Sequence, residues 1–238
     1  VRSDIPSEVL FVTDTLEAAG YEAYLVGGCV RDLLIGRTPK DWDVTTNAIP
    51  EEIEALFPET FCNNDFGTVG VKNETTDDPR LKVVEVTPYR QEGTYSDARR
   101  PDSVAFGVSL EEDLKRRDFT INAIAWRPKG EVLVDLFDGA GDIKKKRLKT
   151  VGLPDERFAE DALRMMRAIR LAAELNFAID TETTASISKN SQQLGRISIE
   201  RVSEEFYKIM MSTTPMQGIV YLERLGMLPY VMPELLDT

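Results

Sequence analysis

The 238-residue chain reads as an α+β protein, an α/β head built on a small mixed sheet followed by an all-helical second part. Two observations predict this. Up to about residue 140, short apolar runs with strand character alternate with helical segments, and glycine, proline or polar turns separate them. From about residue 153 the helical segments lengthen, turn signals become few and no convincing strand remains. The boundary is therefore placed near residue 140, dividing a head of residues 1–140 from a helical continuation of residues 141–238.

Residues 6–19 carry Val9, Leu10, Val12, Leu16 and Ala19 near helical spacing, and Gly20 ends that helix. Tyr24 to Val26 is a short apolar strand, followed by the Gly27-Gly28 pair and a helix from about Val30 to Ile35 that Gly36 terminates. Asp41 to Thr45 is the next strand. Pro50 to Phe57 reads as a helix opened by proline, with Glu51 and Glu52 favourably placed near its start. Phe66 to Val71 and Leu81 to Thr87 read as strands joined by the polar, acidic turn Asn73 to Pro79. Gly93 to Pro101 is a loop by composition. Helix resumes at Leu110 behind Ser109, whose third neighbour is Glu112, a capping-box pattern. Val132 to Leu136 is a further strand.

Composition narrows the chemistry. A hydrophobic fraction of 42% is ordinary for a soluble protein, and no apolar run is long enough to span a bilayer. With no signal-peptide pattern at the start, the cytoplasm is the expected compartment and no membrane partner is expected. Cys29 and Cys62 make neither a disulfide framework nor a zinc site, and both are expected to be small buried thiols. The chain has no histidine, which excludes a Ser-His-Asp or Cys-His nucleophile and a histidine general base. A net charge of −12 argues against indiscriminate coating of nucleic acid but leaves room for local basic patches. Two exist, at residues 115–117 and 144–149; a charge run is more often a solvated face, and the second is the candidate RNA contact.

The segment from Leu25 to Val44 carries the most information. Asp41 and Asp43 alternate with Trp42, which sends both carboxylates to one face. Hard anionic oxygens at that spacing suit Mg²⁺, which takes one or two carboxylates together with substrate phosphates. Gly27 and Gly28 let a backbone approach a phosphate closely, and Arg31 can hold its charge. Taken singly, an Asp-x-Asp is more often a solvated turn and a Gly-Gly pair a simple turn. Glu85 is a candidate third carboxylate or an ordinary exposed strand residue. Further on, Lys115 to Ala125 sets three basic residues against Asp118, Thr120 and Asn122, where arginine suits a triphosphate and Asp118 and Asn122 suit a ribose hydroxyl. A helix with a solvated polar face explains that segment as well. Glu160 to Arg170 repeats Asp161, Arg164, Arg167 and Arg170 every third residue on an expected helix, with Leu163, Met166 and Ile169 as a parallel core stripe. That charged series is either a set of helix-stabilising pairs or a row presenting fixed donors and acceptors to a nucleotide.

These segments, in this order, resemble the motifs of the class II nucleotidyltransferases related to DNA polymerase β, the branch that contains the tRNA CCA-adding enzymes and bacterial poly(A) polymerases. Residues 25–44 are similar to the first motif, 115–125 to the second, 135–143 to the third, 160–170 to the fourth and 196–206 to the fifth. The resemblance implies a polymerase β-like nucleotidyltransferase head over residues 1–140, then a helical neck and the start of a body over 141–238. It implies Mg²⁺ held by Asp41 and Asp43 as the catalytic pair, with Gly28, Arg31 and Arg117 positioning the triphosphate. Asp161 and Arg164 would read the base, and Arg167 and Arg170 would contact the triphosphate or further parts of the nucleotide. The third motif, which on its own residues reads as a glycine-rich loop, would act as a hinge without chemistry of its own, and the fifth, which reads equally well as a helix with a capping serine, would support the neck.

The implied activity is template-independent addition of C, C and A from CTP and ATP to the tRNA 3′ end. Ser96 to Asp102 corresponds to the family's flexible loop, which favours an enzyme able to add the terminal adenosine. An enzyme adding only that adenosine, a poly(A) polymerase and a non-catalytic nucleotide- or RNA-binding module are the alternatives. Family members usually run well beyond 238 residues, with further domains that grip the tRNA.

Overall fold

The computed structural model describes residues 4–62, 67–93 and 103–234. The expected strand start at Phe66 and the expected loop from Thr94 to Pro101, with the family-like segment Ser96 to Asp102, lie outside the described residues. Two compact units separate, the second beginning at Lys144.

In the first unit, α1 (Ser7–Ala18) buries Val9, Val12, Thr13 and Leu16 and packs against β1 (Ala23–Val26). All four β1 residues are buried, as expected of an apolar strand covered on both faces. There follow α2 (Gly28–Leu34), β2 (Asp43–Thr46), α3 (Pro50–Leu56), β3 (Thr60–Cys62), β4 (Val69–Lys72), β5 (Val83–Pro88), β6 (Arg90–Glu92), β7 (Val104–Phe106), α4 (Leu110–Lys115), β8 (Ile124–Arg127), β9 (Val132–Asp135) and α5 (Gly139–Lys144). Seven of these strands form one sheet in the order β3-β4-β5-β2-β1-β8-β9, and β6 pairs with β7 in a separate ribbon. The pairing of β2 with β5 is parallel and places Asp43 opposite Glu85. The other neighbours in the large sheet are antiparallel. The sheet is thus mixed, as the sequence predicts. On one part of it Tyr24, Val26, Tyr89, Leu114 and Ala125 form a core cluster, closed by Val108, Leu110, Val134 and Phe137.

Local chemistry sets the element ends. Ser109 Oγ accepts the Glu112 N–H (3.3 Å) and Glu112 Oε2 accepts the Ser109 N–H (3.1 Å), so the expected capping box opens α4. Glu52 reaches back to the Ile49 N–H at the start of α3 (2.9 Å). Three readings change. The first concerns β2, which begins at Asp43, leaving Asp41 in the bend before it. The glycine-rich segment expected to be a loop forms α5 instead, because the Asp135 carboxylate accepts the Gly139 and Ala140 N–H groups (2.8 and 2.9 Å). Finally, β3, β8 and the β6–β7 ribbon are elements the sequence reading did not contain; each is three or four residues long, too short for periodicity to register.

The second unit comprises β10 (Arg147–Leu148), α6 (Pro154–Glu160), α7 (Leu163–Leu175), β11 (Ala178–Ile179), α8 (Thr181–Asn190), α9 (Ile199–Met210), α10 (Pro215–Arg224) and α11 (Leu228–Val231). It is helical as expected, apart from the two-residue parallel ladder of β10 with β11. Its centre is α7, where Leu163, Met166 and Ile169 form the expected core stripe and Met165, Ala168, Leu171 and Ala172 extend burial around the helix. Both α9 and α10 pack on it.

Candidate active site

Crossing from α3 through β3 and β4 brings β5 alongside β2, and that parallel pair carries the carboxylates. Asp41, Asp43 and Glu85 line one open cleft of about 180 Å³ together with Lys40, Trp42, Pro79, Arg80 and Val83. Trp42 is 3% exposed, so its ring anchors the segment in the core while the aspartates on either side of it reach the cleft. The cleft is open and has room for a hydrated ion or a phosphate group.

Charge in this cleft is incompletely balanced. Burial, and then the neighbouring Asp41 and Glu85 carboxylates, push the Asp43 carboxyl up to about 7 despite the opposing influence of Arg117. A divalent cation would relieve that repulsion, and the hard oxygen donors fit Mg²⁺ or a similar ion. Among the described residues no three His, Cys, Asp or Glu side chains converge as a ready-made metal cage. An ion on Asp41 and Asp43 would therefore be completed by water and substrate oxygens, the coordination Mg²⁺ favours.

A basic wall adjoins the aspartates. Gly27, between β1 and α2, has φ 79° and ψ −133°, a backbone conformation that favours glycine. A Cβ there would sit 3.2 Å from Arg117 Nη1 and 3.9 Å from Asp43 Oδ2, so Gly27, Arg117 and Asp43 share one corner. Arg31, on α2, donates through Nη1 to Asn122 Oδ1 (2.8 Å) and through Nε and Nη2 to Asp32 (2.9 and 2.8 Å). A Cβ at Gly28 would lie 3.6 Å from Arg31 Nη2. The segment 115–125 is not a continuous helix. It passes from α4 through one 3₁₀ turn (Thr120–Asn122) into β8. Asn122 and Asp118 are both buried, and Asp118 Oδ1 accepts the Phe119 N–H (2.8 Å) while Asn122 is spent on holding Arg31.

Sequence reasoning missed Asp113. Its side chain is fully buried and its carboxylate receives Arg116 (2.6 Å) on Oδ1 and Arg117 (3.1 Å) on Oδ2. Burial pushes this carboxyl up, but Arg117 and Arg116 more than offset it and hold it below the usual carboxylate range. The available signal was an acidic residue three and four positions before two arginines on one helix face. Cys29 is the buried thiol that was expected, donating to the Val26 carbonyl, and burial pushes it up to about 12; Cys62 is exposed instead.

In the second unit, Asp161 is not on the helix that carries the arginines. Its backbone is extended (φ −146°, ψ 108°) and separates α6 from α7. The reason is local: its carboxylate accepts the Leu163 N–H (3.0 Å), a side-chain to backbone bond that competes with helix at this position. Asp161 also pairs with Arg201 of α9 (2.8 Å), Arg164 with Glu160, and Arg170 with Glu205 of α9 (2.7 Å) and Glu174 (3.5 Å). Arg167 follows one turn after Arg164 on α7 and is half-buried. The fifth motif thus supplies Arg201 and Glu205, which fix two members of the fourth; neither partner was singled out from sequence.

Comparison with known proteins agrees with this architecture. The family described as "Poly A polymerase head domain" matches residues 23–149, and one described as "Probable RNA and SrmB- binding site of polymerase A" matches residues 176–238. A CCA-adding enzyme of Levilactobacillus brevis is 47% identical over 92% of this chain and 54% of its own length. A crystal structure of the Bacillus stearothermophilus CCA-adding enzyme in complex with CTP is similar with a TM-score of 0.84 and 40% identity, over 94% of this chain and 53% of that one. A tRNA nucleotidyltransferase complexed with a primer tRNA and an incoming ATP analog is similar with a TM-score of 0.77 and 26% identity, over 93% of this chain and 62% of that one. The chain spans about half the length of the curated relative named here. Its polymerase β-like head, its ordered motifs and the match across residues 23–149 together place it in the class II family of tRNA nucleotidyltransferases and poly(A) polymerases, to which this chain belongs.

Proposed function

We propose that this chain is the catalytic head (residues 1–140), with the nucleotide-reading neck and start of the body (residues 141–238), of a template-independent, cytoplasmic CCA-adding tRNA nucleotidyltransferase. The observation that carries the reading is the cleft in which Asp41 and Asp43 meet, with Arg117 at the Gly27 corner beside them. The names of the relatives supply the substrates: CTP, ATP and the 3′ end of tRNA.

In this reading the tRNA 3′-hydroxyl oxygen attacks the α-phosphorus of the incoming nucleotide, a new phosphodiester forms, and the bond to the β-phosphate breaks to release pyrophosphate. Asp41 and Asp43 would hold Mg²⁺, which when bound supplies Lewis acidity to the hydroxyl and charge neutralisation to the triphosphate. Gly27 and Gly28 let the phosphates approach the backbone, and Arg31 and Arg117 bind them through planar, permanently charged forks. Asn122 and Asp32 hold Arg31 in one orientation, so little is reorganised when the nucleotide arrives. Asp161 and Arg164 present an acceptor and donors to the base edge, and Arg167 and Arg170 contact the rest of the nucleotide. The Arg201 and Glu205 pairs keep Asp161 and Arg170 in place.

The test is incorporation of labelled CTP and ATP, singly and together, on tRNA transcripts ending before CCA, after C and after CC. Addition of C, C and A with a halt there establishes the reading. A single adenosine on the CC end only means an A-adding enzyme, and long adenosine tails mean a poly(A) polymerase. Binding of nucleotide without incorporation means a non-catalytic module, or a catalytic unit that needs more chain than this to hold tRNA.

A further inference from the structure

We propose that Asp113 is a positioning residue for triphosphate binding: its buried carboxylate orients Arg117 toward the Gly27–Asp43 corner and ties that arginine to the strand β6. The proposal rests on the reading of Arg117 as a phosphate ligand.

Three observations converge on it. Asp113 has no exposed surface and divides its oxygens between two arginines, Oδ1 for Arg116 and Oδ2 for Arg117 Nη2. A buried carboxylate is retained at considerable desolvation cost, and here it is matched by two cations, leaving one net positive charge to direct outward. Arg117 is anchored on one edge only. Its Nη2 is taken by Asp113, its Nη1 lies at the Gly27 corner, and its Nε is buried with no hydrogen-bond partner among the described residues. A guanidinium pinned at one nitrogen, with another beside Gly27 and Asp43, is pre-organised for an anion. The same node reaches β6, because Asp113 Oδ1 accepts the Arg90 N–H (3.5 Å) and Arg116 Nε donates to the Arg90 carbonyl (3.2 Å). A clamp on that strand end fixes the start of the β6–β7 ribbon relative to the arginine.

The experiment is equilibrium titration of the full 238-residue chain with ATP, CTP and inorganic tripolyphosphate, using wild type, Asp113→Asn, Arg117→Lys and the double variant, with near-ultraviolet circular dichroism as the folding control. Asp113→Asn is expected to weaken all three ligands by roughly tenfold or more. The double variant is expected to bind no more weakly than Arg117→Lys alone, because Asp113 acts through Arg117. Independent, additive losses, or a folded Asp113→Asn chain that binds as wild type does, overturn the proposal. Wild-type protein that binds none of the three ligands overturns the functional reading instead.

Should Asp113→Asn not fold, nitrogen NMR of the wild-type arginine side chains decides. Arg117, assigned from the Arg117→Lys chain, should show slow guanidinium rotation before ligand is added and shift on tripolyphosphate addition. Fast rotation in the ligand-free chain sinks the idea.

Discussion

At the residue scale, Asp43 sets two opposed expectations. Its carboxyl is pushed up to about 7 by burial, Asp41 and Glu85, so ionising it in the folded chain is unfavourable. The sign follows from linkage: the unfolded group releases its proton first, so the metal-free chain loses stability as pH rises from about 4 to about 7 and is level above that. Solvent access reduces the full value of such a shift, and a loss on the order of 2 kcal/mol is expected. Asp43→Asn should flatten that part of the pH–stability curve and raise Tm at pH 8, measured by thermal melts without divalent ions. Divalent-cation affinity should rise with pH through the same range, because the ligand must be deprotonated. The same variant should abolish nucleotide incorporation while the fold persists; undiminished turnover would remove Asp43 from the metal assignment. Gly27→Ala probes the neighbouring corner. Its positive φ and the 3.2 Å approach to Arg117 predict a loss of about 1–2 kcal/mol in denaturant titrations and weaker triphosphate binding.

At the element scale, short helices depend on their caps and long ones on their cores. Ser109→Ala should cost about 1 kcal/mol by removing one half of the α4 capping box, read from urea midpoints at constant m. That helix also carries Asp113, so the loss should appear in triphosphate affinity as well. On α7, Met166 is fully buried, and Met166→Ala should cost about 2–5 kcal/mol. Met211, just past α9 and 69% exposed, is the contrast: Met211→Ala should stay within about 0.5 kcal/mol. Equal effects at the two methionines would contradict the burial pattern. The break between α6 and α7 makes Asp161 both the acceptor for the Leu163 N–H and a partner of Arg201, so Asp161→Ala should lower stability and Asp161→Asn, which keeps that acceptor, should lower it less.

At the scale of the whole molecule, charge limits what this length of chain can hold. With a net charge of −12, affinity for RNA of unrelated sequence should be weak at physiological salt, and filter-binding with such an RNA should show little retention where ATP and CTP still bind. Strong, sequence-independent retention would mean that a basic surface outweighs the global charge. Among the described residues no helix is long and apolar enough to cross a membrane.

What the sequence determined by itself was the mixed sheet, the helical continuation and the family, and it nominated the residues of the candidate site. Each was written in local pattern: apolar spacing, Gly27-Gly28, the Asp-x-Asp pair and the capping box of α4. The ladder partners were not written there, because β3, β6 and β7 have only three residues each and owe their existence to neighbours far along the chain. Asp161 looked helical because its spacing matched the arginines, yet its own side chain competes with the helix for the backbone. Only the tertiary structure decided that Glu85 stands across from Asp43, that Arg201 and Glu205 pair with Asp161 and Arg170, and that the buried Asp113 pairs with Arg117. Side-chain identity is local information, but orientation is set by partners distant in sequence, and burial alone makes those partnerships strong enough to fix it.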